Sequence, residues 1–145
     1  MPLEYRIDQA RRVVFATATG LLSDQDLFTY QREVWSRGEL AGYDEVVDFG
    51  AVEDLVLSSG DRLRALADLA STMDVPGASS RLAIVAPQDF AYGLARMFET
   101  YRSMSQRGSK VVSVFRSMQA ALDWLGFESP GEPAGGEPPG PRARS

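Results

Sequence analysis

The chain has 145 residues, 44% of them hydrophobic and 24% charged, with 15 Lys and Arg against 20 Asp and Glu. That is enough for one domain with its own core, and no run approaches the roughly 18 to 20 apolar residues of a membrane span. The formal charge of −5 argues against a nucleic-acid ligand, and the lack of any Cys or His removes disulfides, thiolate metal sites and imidazole catalysis.

"LEYRID" (3–8) and "RVVFATATG" (12–20) alternate and are rich in β-branched and aromatic residues. They predict an antiparallel hairpin that Gly20 ends. "LSDQDLFTYQREVWSRG" predicts a helix capped by Ser23, with Asp24 and Asp26 in the first turn and a stop at Gly38. Leu27, Tyr30 and Val34 mark its apolar face. "YDEVVDFG" (43–50) is a short strand, and "AVEDLVL" reads as a loop or strained connector. "SSGDRLRALADLASTM" (58–73) predicts a helix with Leu63, Leu66, Ala67, Ala70 and Met73 along one face.

"RLAIVAP" (81–87) is apolar throughout, as a strand buried on both faces of a parallel sheet would be. "DFAYGLARMFETYRSM" (89–104) predicts a helix with Phe90, Leu94, Met97, Phe98 and Tyr101 inward. "KVVSVFR" (110–116) is the last strand, and "SMQAALDWLGF" the last helix, capped by Ser117 with Leu122 and Leu125 inward. The domain therefore spans 1–126, followed by a tail over 127–145. From Glu128 the tail reads "ESPGEPAGGEPPGPRARS", which has too little to bury to offset its ordering entropy. The order β-β-α-β-α-β-α-β-α implies an α/β fold. Its mixed, mostly parallel sheet has about five strands, an N-terminal antiparallel hairpin and about four helices.

Several residues stand out as candidates. Ser58 and Ser59 sit where a helix N-cap belongs, and Asp61 follows Ser58 at capping-box spacing. Asp48 ends a strand at the carboxyl edge of the sheet, where open α/β folds bind ligands, or else it braces the loop after it. Arg96 pairs with Glu99 on the helix surface, or lines a pocket with Tyr92. Phe90, Tyr92, Met97, Phe98 and Tyr101 form an aromatic and Met cluster that serves as core or as the wall of an apolar pocket. Val52, Leu55, Val56 and Leu57 lie in the connector, as a lid or as a docking surface for a partner or a second copy of the chain.

The segments "VVDFGAVEDLVLSSGDRLRAL", "RLAIVAPQDFAYGLARMFE" and "VFRSMQAALDWL" resemble the STAS domain superfamily, and most closely its SpoIIAA-like branch. In antagonist members a strand ends in Asp, and Asp-Ser-Ser-Gly opens the next helix. A partner kinase phosphorylates the serine after that Asp, and the phosphate blocks docking. Asp48 matches the strand-end Asp. Ser58, Ser59 and Gly60 match the serines and glycine, with Leu57 in the place of the acidic residue. The resemblance implies a non-enzymatic, cytoplasmic interaction module whose partner is a protein, such as a kinase or an anti-sigma-type regulator. Ser58 or Ser59 is then the phosphorylation site, and Asp48, Val52, Leu55, Val56, Leu57, Gly60 and Asp61 form the partner loop. Apolar-ligand carriers related to this branch imply the alternative, a carrier or sensor of a small apolar or lipid-like molecule. Its pocket lies at Phe90, Tyr92, Arg96 and Met97, under the connector as lid. Neither reading calls for a cofactor, a metal or a catalytic residue.

Overall fold

The computed structural model describes residues 2–105 and 108–127, so the tail expectation falls almost wholly outside the described residues. Five strands form one sheet in the order β1-β2-β3-β4-β5. They are β1 (Leu3–Asp8), β2 (Val13–Ser23), β3 (Asp44–Val56), β4 (Ser80–Val85) and β5 (Lys110–Phe115). β1 pairs antiparallel with β2, and every other neighbour is parallel. The helices are α1 (Asp24–Trp35), α2 (Arg62–Met73), α3 (Asp89–Met104) and α4 (Met118–Leu125), with a short 3-10 turn at Gly38–Leu40.

Alternation sorts the core into two layers. Val14, Ala16, Ala18, Val47, Phe49, Leu82 and Ile84 pack against α1, α2 and α3. Val13, Phe15, Val46, Ala83 and Val85 take the opposite face and meet Ala121, Leu122 and Leu125 of α4. α1 starts as its sequence dictates: Ser23 Oγ accepts from Asp26 N–H, and Asp26 Oδ2 accepts from Ser23 N–H, a complete capping box. α4 is capped by Ser117, whose Oγ accepts from Ala120 N–H, and it closes at Gly126 with φ +80°.

Three expectations need correction. Gly20 does not end β2. It adopts φ +66°, which glycine tolerates, and the strand continues through Ser23. "AVEDLVL" is not a connector, because it completes the 13-residue β3. β4 pairs with β3 only along Glu45–Asp48, and β1 pairs with β2 only as far as Ala18. Gly20–Ser23 and Val52–Val56 therefore run on together as a two-stranded arm beyond both neighbours. Register shifts between Thr17 and Thr19 and between Gly20 and Leu21 let the arm bend over the helical face. Finally, α2 begins at Arg62, four residues later than the Ser-Ser-Gly signal implied.

Candidate functional site

Both strands of the arm leave it at the same end, since they are parallel. β2 passes directly into α1 at Asp24, and β3 reaches α2 through Leu57–Asp61. Asp24 ties the two exits together. Its Oδ2 accepts from Ser58 Oγ at 2.6 Å and from Arg62 Nε at 2.6 Å, and its Oδ1 accepts from Gln25 N–H at 3.0 Å. The Arg62 guanidinium also lies 4.2 Å from the centre of the Phe28 ring. Ser58's hydrogen bond, supported by Arg62, holds the Asp24 carboxyl down at about 2 although burial opposes it.

Neither serine caps α2. The helix starts behind Asp61, which makes no side-chain cap bond. Ser59 Oγ donates to Asp61 Oδ1 at 2.7 Å, out in solvent, and this bond lowers the Asp61 carboxyl below its usual range. The two serines therefore differ: Ser58 is committed to a buried carboxylate, whereas Ser59 is held only by an exposed one.

The arm's two faces differ as well. Leu22 pairs with Leu55 on the inner face. Leu21 and Val56 stand on the outer face, at 66% and 51% exposure, because Leu21 is opposite Asp54 and Val56 opposite Ser23. Val52 is buried, so it belongs to the core rather than to a lid. Gln88, just before α3, braces the arm. Its Nε2 donates to Val52 O at 2.7 Å and to Phe49 O at 2.9 Å. β4 ends at Val85, so no strand is there to satisfy those carbonyls, and the amide does so instead. Asp48 sits at the last β3–β4 pair, and its Oδ1 accepts from Gly50 N–H at 2.8 Å, a local brace. No hydrogen bond joins Asp48 to Ser58 among the described residues.

Phe90, Tyr92, Arg96 and Met97 line neither of the two cavities beneath the helices. Phe90 and Met97 are exposed, because α3 turns Ala91, Ala95, Phe98 and Arg102 inward. Small alanines let that helix lie close on the sheet and rotate the larger side chains out. Arg96 is 58% exposed, pairs with Glu99 at 3.0 Å and donates to Tyr92 Oη at 3.4 Å. Tyr92 Oη and the Glu99 charge raise the Arg96 guanidinium above its ordinary range.

Two cavities instead lie beneath the helices. One, of about 60 Å³, is walled by Leu27 and Tyr30 of α1, Leu63 and Leu66 of α2, Leu94 and Phe98 of α3, and Leu55 of the arm. Its lining is almost wholly apolar. The other, of about 40 Å³, lies towards the amino ends of β3, β4 and β5 and is lined by Trp35, Arg37, Tyr43, Asp74, Arg102 and Lys110 among others. Glu45 stands at both. Its Oε2 accepts from Tyr30 Oη at 2.7 Å and Trp35 Nε1 at 3.0 Å, while Oε1 meets Lys110 Nζ at 3.3 Å. Burial and the Glu45 charge push the Tyr30 hydroxyl well above its usual range. Lys110 Nζ also lies 3.5 Å from the Trp35 ring centre.

Asp74 anchors the second polar cluster. It takes two bonds from Arg102 Nη2 at 3.1 Å, and backbone N–H bonds from Ser109 and Lys110. Sequence reasoning missed Glu45, Asp74, Gln88 and Arg102. The usable signal was weak: Glu45 and Arg102 occupy inward positions in elements whose periodicity was otherwise clear. Among the described residues no group of three or more acidic side chains is placed to hold a metal ion, and no helix is long and apolar enough to cross a membrane.

No family model matches the chain, and no curated protein sequence matches it. Solved structures do. An uncharacterized protein of the DUF3478 family with a SpoIIAA-like fold, from Shewanella loihica PV-4, aligns with a TM-score of 0.54 at 18% identity, over 85% of this chain and 93% of its own. The Bacillus cell fate determinant SpoIIAA, in its phosphorylated form, aligns with a TM-score of 0.41 at 12% identity, over 84% of this chain and 99% of its own. The class is thereby set by the first of these: a mixed α/β domain with a SpoIIAA-like fold. At this identity the likeness extends to the fold and no further.

Proposed function

We propose that the protein is a non-catalytic regulatory module that docks a protein partner on the outer face of the β2–β3 arm and the loop leading into α2. The observation that carries this reading is the pair Leu21 and Val56, apolar, exposed and diagonal to one another on one face of the arm, with Val56 two residues before Ser58. Leaving such a pair in water at an arm tip has no folding benefit, whereas covering it would be favourable. Ser58 supplies a means of control. A phosphate on its Oγ would place about −1.5 to −2 charges beside the Asp24 carboxylate, in the position of a 2.6 Å hydrogen bond. The two anions would repel, the Ser58–Asp24 link would open, and the arm tip would change shape and charge together. Ser59, already turned to solvent, would give a weaker effect.

The test is a capture experiment in the native host with the wild type, Leu21→Asp, Val56→Asp and Val111→Asp. Val111 is an exposed apolar residue of the edge strand β5 and serves as control. The expected outcome is a partner retained by Val111→Asp and lost by both arm variants, all three melting close to wild type. Retention of every captured protein by the arm variants would overturn the reading.

A second reading is favoured by a separate observation. The apolar cavity between the sheet and α1, α2 and α3 suits a small apolar ligand, with Leu55 of the arm in its wall. The protein then acts as carrier or sensor.

A further inference from the structure

We infer that the two cavities form one bipartite site for a small monocarboxylic acid with an apolar body. This deepens the carrier reading above and rests on it. The cavities share the wall residues Gln31, Glu45, Leu82 and Phe98, so a single layer of side chains separates them. Gln31 is the part of that layer able to yield. It is half-buried, and its amide nitrogen donates to the Met73 sulfur at 3.7 Å, a weak acceptor.

The two chambers have complementary chemistry. The one towards α2 and Leu55 would take hydrocarbon. The other carries three cations, Arg37, Arg102 and Lys110, against two carboxylates, Glu45 and Asp74. One positive charge is in excess, which a monoanion balances.

Arg102 points to the same answer independently. Its side chain is 3% exposed. Nη1 donates to Ser71 Oγ at 3.2 Å and Nη2 to Asp74, yet among the described residues the buried Nε–H has no acceptor. A buried charged donor is costly unless it meets an acceptor, and a carboxylate oxygen is a strong one. Lys110 adds an ammonium with one carboxylate partner and an aromatic face beneath it. The ligand is thus an acid whose head lies among Arg102, Lys110 and Arg37 and whose body passes Gln31 towards Leu55.

The full chain, labelled with ¹⁵N, is titrated with octanoate and, separately, with octan-1-ol, which has the same body without the charge. Trp35 Nε1–H, bound to Glu45, reports from the site. Trp124 packs against Phe115 on the other face of the sheet and reports non-specific uptake. The expected result is saturable movement of the Trp35 indole and Arg102 Nε–H signals by octanoate, with Trp124 unmoved and octanol binding roughly tenfold weaker. Arg37→Gln, at a half-buried position outside the helices, should weaken octanoate by a similar factor and leave octanol unchanged. Equal binding of the two probes overturns the anionic head and leaves the apolar carrier standing. Failure of both probes to move Trp35, or equal movement of Trp124, overturns both.

Discussion

Replacing Ser58 by Ala tests the knot at the tip of the arm. The substitution removes the O–H donor 2.6 Å from Asp24 Oδ2 and leaves the Arg62 and Gln25 contacts in place. Asp24 is held at about 2 against an ordinary 3.8. Read by linkage, a depression of that size would correspond to about 2.5 kcal/mol. Asp24 is buried but its partner Arg62 is a third exposed, so solvent screening reduces it. Ser58 is the largest contributor but not the only one, which leaves about 1 kcal/mol for its hydroxyl. For a domain of this size that lowers Tm by about 3 °C. The sign follows from a folded-state carboxyl lying below its unfolded value. The stabilisation is complete above about pH 4, and it is lost as pH falls through about 2, where Asp24 takes up its proton. Thermal melts of wild type and Ser58→Ala at pH 7, 5, 3 and 2 should show a steady gap at the two higher values that closes towards the lowest. A gap that persists unchanged at pH 2 would refute the role of the charged carboxylate. No gap at pH 7 would show that the hydroxyl does not hold the arm at all.

Two further outcomes follow from buried polar groups. Gln88→Leu leaves the Phe49 and Val52 carbonyls without their donor, so it should cost about 2 kcal/mol and speed amide exchange in Val52–Val56 more than in β4, measured by hydrogen exchange. Uniform acceleration across the sheet would argue against Gln88 as a brace of the arm. Asp74→Asn removes the carboxylate that Arg102 and two backbone N–H groups share. Breaking such a buried pair should cost about 3 to 5 kcal/mol in urea unfolding, and a loss below about 1 kcal/mol would mean that the cluster is far better hydrated than its burial implies.

The order of elements was legible because each carries one clear period, and the α1 and α4 caps were legible because Ser23 and Ser117 do locally what such residues do. The arm was not. Its strands contain register shifts, which break the two-residue alternation at Gly20 and after Gly50, so glycines that permit a bend looked like stops. Ser58-Ser59-Gly60 has the composition of a helix start, but Ser58 finds a better acceptor in Asp24, 34 residues away, and the helix waits for Arg62. α3 was placed correctly, with Leu94, Phe98 and Tyr101 inward as expected, but Phe90 and Met97 are exposed. Large apolar residues usually mark the inner face, yet here Ala91 and Ala95 do, with Phe98 and a buried Arg102. Arg102 is inward because Asp74 and Ser71 meet it there, a pairing across about 30 residues that no local pattern encodes.

The arm also relates the two proposed sites physically. Leu21 and Val56 face outward from the same pair of strands whose Leu55 walls the apolar cavity. Across the chain exit, Arg62 holds Asp24, and one residue later Leu63 enters the cavity wall. A ligand that presses on Leu55 and Leu63 therefore acts on both ends of the segment carrying Ser58. The arm is held by Gln88 on one side, by the Asp24 cluster at its tip, and by Leu22 and Val52, which are buried in the core. If cavity occupancy and partner docking each favour one position of the arm, the coupling must be reciprocal: a ligand that improves partner affinity by some factor is itself bound tighter by that factor when the partner is present. Phosphorylation of Ser58 would act on the same equilibrium from the tip, by repelling Asp24 rather than by blocking the surface sterically.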